Sequence, residues 1–194
     1  SLTYNELWHK TAEVAAGMRK LGLQKGDRVV AYMPNIPETL IAFLAAASIG
    51  ATWSSCPPEF GIPSVVDRFS QLNPRMLLTV GGYEYGGKTF DALPRSLELL
   101  SKLPTVETTV VVPYRNEQPD LSPLKDAILW EAFLVTGQDL TFTPVPFEHP
   151  LWVLYSSGTT GAPKAIVQGH GGILLEHLKC ESLHLDLGEG DRFF

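Results

Sequence analysis

The chain has 194 residues, 44% of them apolar and 19% charged, a composition ordinary for a globular protein with a real core. Its 21 acidic residues outweigh 15 basic ones for a formal charge of −6, and without a cluster of Lys and Arg this argues against a nucleic-acid surface. Two cysteines, Cys56 and Cys180, lie far apart with no C-x-x-C spacing and no matching histidines, which argues against a disulfide framework or a zinc site and suits a reducing cytosol.

Thr3 and Glu6 have the spacing of a capping box, and Leu7, Val14, Ala15, Met18 and Leu21 then recur at helical spacing until Gly22 closes the helix. The Gly26-Asp27 turn leads into a strand over residues 28–33. Pro37 suits the first turn of a second helix that runs to Ile49 and stops at Gly50. Its apolar stretch, residues 40–47, is too short to cross a bilayer, which takes about 20 residues. That is the most apolar stretch of the chain, so no membrane partner is expected. Strands over 51–54, 76–80 and 106–112 alternate with helices over 63–71 and 91–103. That rhythm predicts an α/β fold, a layered parallel sheet with crossover helices, and the apolar strands fit a sheet covered on both faces. Residues 113–150 are rich in proline and polar side chains and read as a surface excursion with one helix around 124–134.

A buried strand over Leu151, Trp152, Val153 and Leu154 then runs into Tyr155-Ser156-Ser157-Gly158-Thr159-Thr160-Gly161-Ala162-Pro163-Lys164. This reads as a phosphate cradle. Glycines let backbone N–H groups converge on an anion, the hydroxyls of Ser156, Ser157, Thr159 and Thr160 donate further bonds, and Lys164 brings a mobile positive charge. A parallel sheet binds ligands at the carboxyl ends of its strands, where this loop falls. The lysine stands too far from Gly161 for the common G-x-x-x-x-G-K-[ST] loop, and Tyr155 and Ser156 break a G-x-S-x-G elbow. The competing structural reading is a Ser/Thr/Gly surface turn between two strands with Lys164 as a solvated charge.

The run from Tyr155 to Lys164 resembles the signature of the adenylate-forming enzymes, roughly [YFL]-[ST]-[ST]-G-[ST]-[TS]-G-x-P-K. Leu2-Thr3-Tyr4-Asn5-Glu6-Leu7 and Ser48-Ile49-Gly50-Ala51 resemble two further segments of that superfamily, and the likeness covers essentially the whole chain. The residues Trp53 to Gly61 and Ala165 to Gly172 look most like the acetoacetyl-CoA synthetase branch, and Gln168, Gly169 and His170 depart from the acetyl-CoA synthetase pattern.

The resemblance implies an ATP-dependent acid:CoA ligase, cytosolic and tied to lipid and fatty acid metabolism, that uses Mg2+ and coenzyme A. It would activate acetoacetate through an acyl-adenylate, with an acetyl- or propionyl-CoA synthetase or a non-catalytic, truncated nucleotide-binding fragment as alternatives. It implies that Ser156, Ser157, Gly158, Thr159, Thr160, Gly161 and Lys164 hold the ATP phosphates, with Lys164 catalytic, and that Lys88 in the Gly-rich run 81–88 meets coenzyme A. Family members are longer, and Gly188 to Phe194 reads as a turn into a new strand. Residues 1–194 are therefore expected to be an incomplete N-terminal AMP-binding domain, inactive alone. His170, His177 and Glu176 lack ligand geometry for a metal, so no metal residue is expected. His170 sits among glycines that would admit a close ligand. Trp8, Trp53, Trp130 and Trp152 are expected to serve packing.

Overall fold

A computed structural model describes residues 2–156, 161 and 163–191 of the chain. Helix α1 (Tyr4–Lys20) starts where the Thr3 hydroxyl accepts from the Glu6 amide and the Glu6 carboxylate accepts from the Thr3 amide. The reciprocal pair satisfies donors that a helix start leaves open. Strand β1 (Arg28–Tyr32) follows, then α2 (Pro37–Ile49), which ends at Gly50 with φ +76, a conformation that glycine adopts without steric cost. Strand β2 (Thr52–Cys56) leads to α3 (Ile62–Phe69), a single 3-10 turn (Ser70–Leu72) and β3 (Met76–Val80).

Next come β4 (Gly82–Tyr85), β5 (Lys88–Asp91), α4 (Leu93–Leu100) and β6 (Thr108–Val112). The short pair β7 (Ala127–Leu129) and α5 (Trp130–Phe133) precedes β8 (Pro150–Ser156), β9 (Lys164–Gly169) and α6 (His170–Lys179). Among the described residues the main sheet has the order β7-β6-β3-β1-β2-β8-β9. Every neighbouring pair in it is parallel except β8 with β9.

Strand residues alternate between two apolar layers, as the two-residue period requires. Val29, Ala31, Met76, Leu78 and Val110 pack under α1 and α2 with Val14, Met18, Ile41 and Ala45. Val30, Tyr32 and Leu77 pack on the opposite face with Val65, Phe69 and Leu99 from α3 and α4. The α/β fold and the doubly covered sheet agree with the sequence reading.

Three segments differ from expectation. Residues 124–134 are not one helix: Ala127, Ile128 and Leu129 pair in parallel with Thr109, Val110 and Val111 as the outermost strand. The open edge of β6 offers backbone partners that outweigh the helix propensity of this apolar run. Residues 81–88 are not a loose Gly-rich loop but half of a hairpin, with Tyr85 paired to Lys88 across Gly86 and Gly87, both at positive φ. The chain from Lys164 onward returns antiparallel along β8, so Ser156 and Lys164, at the two ends of the motif, face each other as a strand pair.

The outermost strand β9 and the helix α6 expose Ile166, Val167, Leu174, Leu175 and Leu178, each 45–60% accessible. An outer strand with unpaired backbone groups beside exposed apolar side chains favours association. The 194-residue chain alone should therefore self-associate in a concentration-dependent way by multi-angle light scattering, and Val167→Lys with Leu174→Glu should shift it toward monomer. A monodisperse wild-type monomer would contradict this.

Candidate active site

The parallel register aligns the carboxyl ends of the strands. Tyr32 lies level with Cys56 and with Thr79, and Trp53 pairs with Trp152, which brings Tyr155 and Ser156 to the same edge. Ser156 pairs directly with Lys164, and both are exposed. Opposed residues of an antiparallel pair leave the same face, so the Ser156 hydroxyl and the Lys164 ammonium flank the mouth of the hairpin. Gly161 has φ +152, a backbone that L side chains rarely adopt. Ser157, Gly158, Thr159, Thr160 and Ala162 lie outside the described residues.

Both stems of the hairpin are tied to the last turn of α3. The Tyr155 hydroxyl donates to the Arg68 carbonyl at 2.7 Å, and the Gln71 side-chain amide donates to the carbonyls of Pro163 at 3.0 Å and Asp67 at 2.6 Å. Burial pushes the Tyr155 phenol up to about 12, which keeps its proton available for that bond. Burial likewise holds the Cys56 thiol at about 11, so this residue, at the end of β2, is a neutral packing group rather than a thiolate nucleophile.

Two arginines face this edge. The Arg68 guanidinium lies over the rings of Phe60 at 5.4 Å and Tyr155 at 5.8 Å and donates to the Ser64 carbonyl at 2.6 Å. Arg95 donates to the Pro58 carbonyl at 3.0 Å, the same carbonyl that accepts from the Tyr32 hydroxyl at 2.7 Å. Among the described residues neither arginine has a carboxylate partner. With Lys164 they bring three cationic side chains to the carboxyl-end side of the sheet in a chain of net negative charge.

Lys88 sits on the β4–β5 hairpin, exposed, and no hydrogen bond or ion pair joins it to Ser156 or Lys164 among the described residues. Arg68, Gln71, Tyr32 and Arg95 were not singled out from the sequence. Each is an unremarkable residue of a helix or strand there, and only the parallel register brings them to one edge.

His170 lies at the opposite, amino end of β8. Its amide donates to the His149 carbonyl at 3.0 Å, and the His149 Nε2 lies 2.8 Å from the carbonyl of Gly50. The room left by Gly171 is taken by the Phe147 ring and that beside Gly169 by the Glu148 backbone. The close approach expected of a ligand is therefore made by the chain itself. Glu176 pairs with Lys179 at 2.7 Å, and the His177 ring lies 6.2 Å from that of Trp152. Trp53 and Trp152 pack around Phe43, Trp130 packs on Phe133, and Trp8 is half-exposed against Phe142.

The family model for AMP-binding enzymes matches residues 1–194, and the chain belongs to that family. It is 45% identical to acetoacetyl-CoA synthetase of Gallus gallus over 98% of this chain and 30% of that protein. It is 40% identical to malonamoyl-CoA synthetase of Penicillium aethiopicum over 98% of this chain and 28% of that protein. Among solved structures, acetoacetyl-CoA synthetase from Streptomyces lividans matches with a TM-score of 0.91 at 50% identity, covering 99% of this chain and 29% of that one. The chain thus spans about 30% of the length of the curated relatives it matches.

Burial, followed by the neighbouring His149, holds the His170 imidazole below its ordinary range. A histidine kept neutral by the fold contributes stability above its unfolded pKa that is lost as pH falls through the folded value. Denaturant midpoints measured from about pH 7.5 to about pH 5 should therefore fall more steeply for wild type than for His170→Gln; parallel curves would contradict this.

Proposed function

We propose that this chain supplies the phosphate-handling edge of a cytosolic, ATP-dependent acid:CoA ligase that converts acetoacetate to acetoacetyl-CoA by way of an acyl-adenylate, an activity of lipid and fatty acid metabolism. The observation that carries the reading is the Ser156–Lys164 pair at the carboxyl edge of a parallel sheet, at the mouth of the loop whose sequence matches the adenylate-forming signature. The names of the relatives supply the acid.

In the first half-reaction a carboxylate oxygen of acetoacetate attacks the α-phosphorus of ATP, and the bond to the β-phosphate bridging oxygen breaks with its electrons going to pyrophosphate. Negative charge grows on that leaving group. The Ser156 hydroxyl and Lys164 ammonium, with Ser157, Gly158, Thr159, Thr160 and Gly161, would hold it where the charge develops, and fixed donors there need no reorganisation during reaction. In the second half-reaction the thiol of coenzyme A attacks the acyl carbonyl, loses its proton and expels AMP. Lys88, on its own hairpin away from the loop stems, would meet coenzyme A rather than ATP. Mg2+ would neutralise phosphate charge; among the described residues no group of three His, Cys, Asp or Glu converges to hold a metal, so none is assigned to it here.

Acetoacetate and malonamate both carry a carbonyl β to the carboxylate, one as a ketone and the other as an amide. The similarity to a malonamoyl-CoA synthetase therefore supports a pocket that recognises that carbonyl, against acetate or propionate, which lack it. A second reading, a nucleotide-binding unit inactive by itself, is favoured by the 30% share of the relatives' length that the chain spans; AMP release by the 194 residues alone would contradict it.

Two measurements on a full-length ligase carrying this segment test the proposal. Lys164→Ala should depress ATP–pyrophosphate exchange by about a hundredfold or more, since one stabilising donor contributes ~2.7 to 4 kcal/mol. It should leave thioester formation from pre-made acyl-adenylate nearly unchanged, and equal losses in both half-reactions would remove the assigned role. Across an acid panel, kcat/KM for acetoacetate should exceed that for acetate by at least about tenfold, because the longer acid buries more surface and its ketone finds a donor. A preference for acetate would move the chain to the neighbouring subfamily.

A further inference from the structure

The last turn of α3 ends with carbonyls that the helix cannot pair internally, as every helix end does. Two of its carbonyls take side-chain donors, one from the hairpin and one from the 3-10 turn that directly follows α3. The Arg68 carbonyl takes the Tyr155 hydroxyl, and the Asp67 carbonyl takes one N–H of the Gln71 amide. A side-chain amide has two N–H donors, and Gln71 also reaches the Pro163 carbonyl. That carbonyl belongs to the peptide plane whose nitrogen is that of Lys164. Fixing its oxygen fixes the plane from which the Lys164 side chain departs.

The opposite stem is fixed at the residue before Ser156, by Tyr155, and the two stems meet in the Ser156–Lys164 pair. The proline ring also fixes the φ of residue 163, one bond before the Pro163–Lys164 peptide plane. Besides the Pro163 carbonyl, the Gln71 amide meets the Asp67 carbonyl four residues back, a helix-end bond that any short polar donor could replace. Its side chain is exposed at a 3-10 turn and fills no core, and a purely structural position of this kind accepts almost any polar residue.

We propose that Gln71 is a positioning residue for Lys164: it ties the Pro163–Lys164 peptide to the last turn of α3 and so holds the ammonium at the place where pyrophosphate charge develops. The proposal rests on the pyrophosphate role of Lys164. Removing the Gln71 amide leaves the lysine chemically intact but widens the region its ammonium samples. Loss of orientation of that kind lowers the rate of the step the lysine serves and leaves unrelated binding untouched.

The test is a double-mutant cycle in a full-length ligase carrying this segment, with Gln71→Ala, Lys164→Ala and the double variant, and Gln71→Glu as an isosteric change that removes both N–H donors. Gln71→Ala and Gln71→Glu should each lower kcat of ATP–pyrophosphate exchange about three- to tenfold, the range expected for one net hydrogen bond. KM for acetoacetate and the rate of thioester formation should stay at wild-type values, which also shows that the variants fold. In the Lys164→Ala background, Gln71→Ala should cost nothing more, since its effect runs through the lysine. If Lys164→Ala is slow and the Gln71 variants are not, or if the two losses simply multiply, the positioning role is wrong and the lysine's role stands. If Lys164→Ala exchanges pyrophosphate at the wild-type rate, the functional reading fails and the positioning role falls with it.

Discussion

The contact on which the site depends is the parallel pairing of β2 with β8. It sets the hairpin that carries Ser156 and Lys164 level with the carboxyl ends of β1, β2 and β3, and so within reach of the α3 end to which Tyr155 and Gln71 tie it. The pairing joins residues almost a hundred positions apart: Trp53 stands level with Trp152, and the Ser54 hydroxyl donates to the Val153 carbonyl across 99 residues of sequence at 2.8 Å, in the buried interior. Phe43 of α2 wedges against both tryptophans, with ring centroids 6.0 and 5.4 Å away. His149 closes the amino end of β8 onto the Gly50 carbonyl at the end of α2. The aromatic cluster buries the β2–β8 seam and the serine bond pins its register, and the hairpin at the carboxyl end inherits that register.

From that register the chemistry follows in a short chain of causes. Parallel strands put all their carboxyl ends on one edge, and the turns leaving them, with α3 and α4, bring Arg68 against Tyr155 of the hairpin and Arg95 against the turn after β2, neither with a carboxylate partner among the described residues. A protein with six more acidic than basic charges can then present positive potential at one place. Cys56 and Tyr155, both pushed to high pKa by burial, stay protonated there and serve as packing and hydrogen-bonding groups, which leaves Lys164 and Ser156 as the described groups proposed to meet the anion.

Much of this fold was legible because its strands are short apolar runs broken by glycine or proline. The capping pair Thr3 and Glu6, Pro37 at a helix start and Gly50 at its end each carry a local physical instruction that the tertiary structure does not override. Ala127 to Leu129 carried no such instruction: the run reads as helix, and the free edge of β6 decides otherwise. The Gly86-Gly87 pair flanked by alternating residues is a hairpin signal in its own right, masked by the two further glycines just before it. For the site, the loop announced itself as a pattern of hydroxyls, glycines and a lysine. Its supports did not, because an arginine, a glutamine and a tyrosine separated by tens of residues acquire a common purpose only when the register brings them together.

The proposed function requires that the ATP phosphates bind at the segment from Ser156 to Lys164. Hydrogen–deuterium exchange of a full-length ligase carrying this segment, with and without ATP, Mg2+ and acetoacetate, addresses it directly. The expected result is slowed exchange in peptides covering residues 156–164 and in the adjoining turn 67–71, with the β4–β5 hairpin around Lys88 unchanged until coenzyme A is added. Protection by ATP elsewhere in the chain, with residues 156–164 exchanging as fast as in the free protein, would contradict it.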